Sequence, residues 1–317
     1  MAKEVLFQLP GQGSHALGMG KDLWESGDVF FRELLEIGSE TSKVDLPKII
    51  FGDDESIFNQ SKVLQPAISA ITLSLVKILG ENGIFPTAVM GHSLGEITAL
   101  GVIGSLSPQK TVEFAAFRGC LMDESSALCG GGGMTAVLLA GTEDCQSIID
   151  ELNLKNELFV ANDNAPTQAV VSGKFDALAK FEEKICEKMR GVKCKKIAVA
   201  GPWHTPFIQH AKDVYSEWVK SQNLEAPKCK FIMNGTAEIE TDAEKIKILT
   251  ANQFVRSVRW RESCEFAKNY EFSAILDVGP GKILGGLMRA NKMMKSADYC
   301  GAVSSIEEAI NTSSTLV

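Results

Sequence analysis

A serine between two glycines, Gly91-His92-Ser93-Leu94-Gly95, follows the short apolar run Ala88-Val89-Met90 and precedes Ile97-Thr98-Ala99-Leu100. Strand, sharp turn and helix in that order hold a serine hydroxyl clear of a sheet edge, with free N–H groups of a helix N-terminus behind it to receive a developing oxyanion. A serine is a weak nucleophile without a base. The chain has four histidines, at 15, 92, 204 and 210. His92 adjoins Ser93, but neighbours on a turn point different ways, so it is expected to pack or hydrogen-bond beneath the turn. His15 lies in a glycine-rich loop and His210 inside an amphipathic helical pattern. His204, in Gly201-Pro202-Trp203-His204-Thr205, stands between a strand and a helix, where a rigid loop can aim an imidazole across a cleft; it is the better base, the alternative being a structural histidine. Arg118 stands among Phe114, Ala115, Leu121 and Met122 at helical spacing, on an apolar face. Burying a guanidinium there requires an anion or a route to water. Either an internal salt bridge satisfies it, or its planar fork awaits a substrate carboxylate.

The elements that must position these groups are legible in outline. A buried strand over 5–9 ends at Pro10. A helical pattern covers 65–79, and the strand over 88–90 leads through the serine turn into a helix ending near Gly104. Ser107-Pro108 is an N-cap and first-turn pair opening a helix to about Leu128. After glycines 130–133 the order becomes strand 135–139, helix 143–152, strands 158–161 and 168–172, helix 174–190 and strand 193–198. This βαββαβ series predicts a small ferredoxin-like insert, with the glycines as a hinge into it. Beyond it come a helix over 206–221, opened by Thr205-Pro206, and a buried strand over 274–278. The polar tail beyond Glu308 is expected to fray.

The 317 residues, 45% hydrophobic and 23% charged, suit one large globular domain carrying a smaller one. A net charge of −8 argues against a broad nucleic-acid surface. The first ten residues lack a signal-peptide pattern, and no run approaches the roughly 18 apolar residues of a membrane span, so a cytoplasmic protein is expected. Eight scattered cysteines, none in a C-x-x-C pair or close to a histidine, read as reduced thiols. The loop from Gly11 lacks dinucleotide or phosphate-loop spacing, the glycines at 130–133 are followed by no lysine, and Asp53-Asp54-Glu55 reads as a solvated face. No metal and no cofactor are expected.

Taken together, Pro10-Gly11-Gln12-Gly13-Ser14, Gln65-Pro66-Ala67, Gly91 through Glu96, Phe117-Arg118-Gly119, Asn162 through Pro166, Val170 through Gly173, His204 and Gly279-Pro280-Gly281 resemble the malonyl-CoA:acyl carrier protein transacylases, including the discrete acyltransferases that serve polyketide synthases. The series is ordered and runs from about residue 5 to 290. The resemblance implies an α/β fold, with an α/β-hydrolase-like catalytic domain over 1–129 and 200–317 and a ferredoxin-like subdomain over 130–199. It also implies Ser93 as acylated nucleophile, His204 as base and then acid, and the backbone N–H groups of Gln12 and Leu94 as oxyanion hole. Arg118 would grip the free malonyl carboxylate, with Gln65, His92 and Asn164 around the same pocket. The family orients its histidine through backbone carbonyls, so no third carboxylate is expected; Arg259 occupies a place where some members have a glutamine or asparagine near that histidine. Malonyl-CoA and an acyl carrier protein would be the substrates of a monomer. Carrier proteins are generally acidic, which requires a local basic patch at Lys193, Lys195 and Lys196 or at Lys282, Arg289 and Lys292. An acyl hydrolase acting on carrier-bound chains, and a non-catalytic docking subunit, are the competing readings.

Overall fold

The chain opens with β1 (Val5–Leu9), α1 (Lys21–Glu25), α2 (Val29–Ser42), α3 (Leu46–Phe51), α4 (Ser61–Glu81), β2 (Ala88–Gly91), α5 (Leu94–Val102) and α6 (Pro108–Leu128). A middle stretch holds β3 (Gly133–Leu138), α7 (Thr142–Glu151), β4 (Leu158–Ala165), β5 (Gln168–Gly173), α8 (Phe175–Lys188) and β6 (Lys193–Lys196). There follow α9 (Gln209–Lys220), β7 (Lys230–Ile232), α10 (Ala243–Asn252), α11 (Trp260–Ala267), β8 (Phe272–Val278), α12 (Ile283–Ala290), β9 (Ala297–Val303) and α13 (Ile306–Leu316). The computed structural model describes residues 4–316 apart from 14, 53–56 and 200. The acidic run Asp53-Asp54-Glu55 lies outside the described residues, as do Ser14 and Ala200.

β1 and β2 are buried at every position, as strands covered on both faces must be. They are inner strands of a five-stranded parallel sheet in the order β7-β2-β1-β8-β9. Caps set the helix starts around it. Asp28 accepts from the Phe31 N–H, Asp45 from Lys48, Ser107 from Lys110 and Asp242 from Lys245, with Pro47 and Pro108 in first turns that need no donor. α4 alone among the described residues is long and apolar enough to cross a bilayer, and 78% of its apolar window is buried inside the molecule, as befits a core helix.

The middle stretch folds as the sequence order predicts. β4-β5-β3-β6 form an antiparallel sheet covered by the apolar faces of α7 (Cys145, Ile148, Ile149) and α8 (Leu178, Phe181, Ile185). β4 runs four residues further than its hydrophobicity suggests, through two register shifts. The extension ties the sheets together. The Asp163 N–H donates to Val258 O (3.0 Å), the Val258 N–H to Ala161 O (2.9 Å), and Arg261 Nε reaches both Asp163 carboxylate oxygens at 3.0 Å.

Two expectations need correction, on the helix over 206–221 and on the tail, and two strands are unexpected. The helix over 206–221 is a single 3-10 turn, Pro206–Ile208, followed by α9. β7 and β9 are strands that three or seven residues of mixed polarity do not announce. The tail is helical to Leu316, because Ser313, Ser314 and Thr315 satisfy their hydroxyls on carbonyls four residues back while Ala309 and Thr312 are buried. The Ile306 N–H donates to Asp22 Oδ2 at 2.7 Å, anchoring that helix's start.

Candidate active site

β2 enters the serine turn and α5 leaves it, and both flanking glycines are dictated by contact. A Cβ on Gly91 would lie 2.0 Å from Gly95 C, and one on Gly95 would lie 2.0 Å from Leu9 O. Ser93 itself sits at φ 51°, ψ −105°, a conformation costing about 1–3 kcal/mol unless its surroundings hold it. Asn234, just beyond β7, supplies that hold. Its Oδ1 accepts from the Ser93 N–H (3.0 Å), and its Nδ2 donates to Gly91 O (2.6 Å). Glu96, one turn into α5, accepts from the Asn234 N–H and, at 2.8 Å, from Gln253 Nε2.

Ser93 Oγ and His204 Nε2 are 2.8 Å apart. His204 Nδ1 lies 2.8 Å from the main-chain oxygen of Gln253 and must donate to it, which leaves Nε2 unprotonated and able to take the serine proton. The loop carrying His204 is fixed by Thr205, whose Oγ1 donates to Pro202 O (2.6 Å) and accepts from the Phe207 N–H. Burial, and then the Arg118 charge, push the His204 pKa down to about 3. The imidazole is therefore neutral, as a base must be.

Arg118 comes from the buried face of α6 and is 1% exposed. Its partners are neutral: Nη1 donates to Gln65 Oε1 (2.9 Å), and Nη2 to Gln253 Oε1 (2.7 Å) and Ser93 Oγ (3.3 Å). Among the described residues its Nε has no partner. Phe254 lies under the guanidinium, 5.3 Å from ring centroid to Cζ. The Gln253 carboxamide stands between the guanidinium and Glu96, donating to the carboxyl and accepting from the arginine. Burial pulls the Arg118 pKa down to about 10 and pushes that of Glu96 up to about 7. Among the described residues this buried cation has no bonded carboxylate; it lies 3.3 Å from a nucleophile and suits a substrate that brings its own anion.

Gln65 belongs to this cluster and reaches Gln12 Oε1 at 3.5 Å through its Nε2. Leu94 opens α5, so its N–H precedes the first intrahelical bond and is available to an oxyanion. His92 and Asn164 do not reach the hydroxyl. They pair with each other (His92 Nε2 to Asn164 Oδ1, 2.8 Å), the Asn164 carbonyl takes a bond from Asn291 Nδ2, and His92 abuts Trp260, so both brace the underside of the turn. His210 is exposed on α9. The histidine's carbonyl partner is Gln253, and the Arg259 side chain makes no hydrogen bond to His204, pairing with Glu262 and Gly235 O. Gln253, Asn234 and Glu96 carry bonds that no motif signalled, although Glu96 falls inside the serine motif. A cavity of about 410 Å³ opens against His204 between Leu158–Val160 of β4 and Val255–Ser257.

Comparison with known proteins places the chain in a family. Residues 6–305 match the family described as acyl transferase domain. The chain is 30% identical over 295 residues to the malonyl CoA-acyl carrier protein transacylase of Bacillus subtilis, covering 92% of each chain. The malonyl-CoA:acyl carrier protein transacylase structure from Xanthomonas oryzae pv. oryzae superposes with a TM-score of 0.90 at 28% identity, over 99% of both chains. A malonyl-transacylase solved in complex with a type II PKS acyl-carrier protein superposes at 0.88 with 26% identity, over 98% of this chain and 99% of that one.

Proposed function

The chain belongs to the acyl transferase family, and on that premise we propose that it moves a malonyl group from malonyl-CoA to the phosphopantetheine thiol of an acyl carrier protein through an ester on Ser93, in fatty acid or polyketide synthesis. The observation that carries this reading is Arg118: a buried cation with neutral partners, within hydrogen-bonding distance of the nucleophile.

In the first half-reaction Ser93 Oγ attacks the thioester carbonyl while His204 Nε2 takes its proton. The N–H groups of Gln12 and Leu94 receive the oxyanion, each such donor typically supplying about 10²–10³ in rate. The C–S bond breaks, and His204 returns the proton to the departing CoA thiolate. In the second half the carrier's thiol attacks the ester, His204 takes the thiol proton and returns it to Ser93 Oγ, and the malonyl group leaves on the carrier. Arg118 holds the malonyl carboxylate throughout. Hydrolysis of a neutral acyl chain would leave that cation without a role, and the Ser93–His204 bond is at odds with a non-catalytic docking subunit. Eight free thiols support a cytoplasmic setting.

Intact-protein mass spectrometry tests the reading. The native chain should gain one malonyl group from malonyl-CoA and lose it on addition of a pantetheinylated carrier, while Ser93→Ala should gain none. Loading of the alanine variant would refute the ester.

The carrier is assigned to the surface of α12. Ile283, 47% exposed, opens α12 and lies 3.9 Å from where a Cβ on Gly13 would stand, beside Gln12; exposed Lys282 precedes it, and exposed Arg289 and Lys292 lie at and just beyond the helix's other end. Lys193, Lys195 and Lys196 instead line β6, the edge strand of the small sheet. Arg289→Glu with Lys292→Glu should raise the KM for carrier about tenfold and leave Ser93 loading from malonyl-CoA within about twofold. An unchanged carrier KM would rule out α12.

A further inference from the structure

The loop that presents Gln12 is fastened unequally at its two ends. Gly11 is pressed on the serine turn, so closely that a Cβ would stand 2.6 Å from His92 O. Gly13, at φ 114°, has no such packing; a Cβ there would meet nothing nearer than Ile283 at 3.9 Å. The Gly13 end is held by a hydrogen bond instead. The Gly13 N–H donates to His15 Nδ1 (3.1 Å), and His15 Nε2 reaches Asn59 Oδ1 at 3.1 Å, with the ring edge-on to the buried Phe58. Because Nδ1 must accept, the ring carries its proton on Nε2 and donates it to Asn59. A second proton would set an N–H against the Gly13 N–H, breaking the bond and releasing the Gln12–Gly13 peptide.

We infer that His15 is a positioning residue for acyl transfer: its neutral ring holds the Gln12–Gly13 peptide and so fixes Gln12 from its carbonyl side, next to the Gly11–Gln12 peptide whose N–H serves the oxyanion, so that protonating His15 loosens Gln12 and slows loading of Ser93. The inference rests on the acyl-serine reading above. Burial lowers the His15 pKa, opposed by the bond to Asn59, and no charged group among the described residues acts on the ring. Among the described residues, its partners Gly13, Phe58 and Asn59 bring no ionisable side chain. Other ionisable groups lie at the pocket: Arg118 and, against Gly11, His92, whose pKa burial lowers; both are left unchanged in every variant below. Glu96 is raised to about 7 and His204 lowered to about 3, so the test compares variants at His15 and Asn59 that leave both untouched.

The rate of Ser93 malonylation is followed by rapid quench and intact mass from pH 5 to 8. His15→Asn puts an amide oxygen where Nδ1 accepts, with nothing to protonate. It should load near the native rate at pH 8 and outpace the native chain about tenfold at pH 5, a partial misplacement of the donor. His15→Ala should be slow throughout, with near-ultraviolet circular dichroism confirming its fold. Asn59→Asp sets a carboxylate against Nε2 and should move the native acid midpoint up by about one unit or more. Native and His15→Asn profiles that superimpose, or an Asn59→Asp midpoint that stays put, would overturn the role of His15 alone. A native chain that takes up no malonyl group would overturn the acyl-serine reading and this inference with it.

Discussion

Arg118→Ala is expected to lower kcat/KM for malonyl loading of Ser93 by about 10²–10³-fold while leaving acetyl loading within about fivefold, so that the preference for a diacid thioester collapses. Truncating one partner of a buried, hydrogen-bonded charge pair costs about 2–5 kcal/mol. On the proposed reading the pair is completed only when substrate brings its carboxylate, because among the described residues the native guanidinium is bonded to Gln65, Gln253 and Ser93 alone. Arg118→Lys should fall between, keeping charge but losing the planar fork. Stopped-flow loading with malonyl-CoA and acetyl-CoA decides the matter. An equal loss for both acyl groups would mean that Arg118 only supports the fold.

His204→Ala should reduce both half-reactions by about 10³–10⁴-fold, the range for a general base acting on a serine. A linked effect appears in stability. Folding takes up a neutral imidazole whose pKa drops from 6.5 to about 3 through burial and then the Arg118 charge. Between those values the unfolded chain binds a proton that the native state refuses. The contribution is therefore fully present above about pH 6.5 and is lost as the pH falls toward 3. Melting temperature should fall less steeply between pH 6.5 and 4 in His204→Ala than in the native chain, by differential scanning calorimetry. Parallel curves would contradict the depressed pKa.

The serine turn, His204 and Arg118 were legible because each announces itself through side-chain chemistry against a local pattern: two glycines at a strand end, an imidazole between a strand and a helix, a cation among Phe114, Leu121 and Met122. The small sheet was legible because its six elements alternate in period. Gln253 was not, and the reason is general. It serves His204 through a main-chain carbonyl, which every residue type possesses, so no side-chain pattern marks the position. Asn234 escaped for a related reason, since β7 before it is only three residues long and a lone asparagine beyond it looks like any turn. The tail is not legible because serine and threonine have the look of solvated residues in a sequence, while here their hydroxyls bond within α13.

The bracing of Ser93 bears on biogenesis. The residues that hold its backbone and supply its base, at 204, 234 and 253, all leave the ribosome long after the serine motif does. A nascent chain that has exposed Ser93 alone has neither the support for its contorted dihedrals nor a proton acceptor. It is inert toward CoA thioesters until translation has passed the second hundred residues and half of the third. A fragment ending before residue 253 lacks both the carbonyl that orients His204 and the carboxamide that holds Ser93 O, and is expected to take up no acyl group.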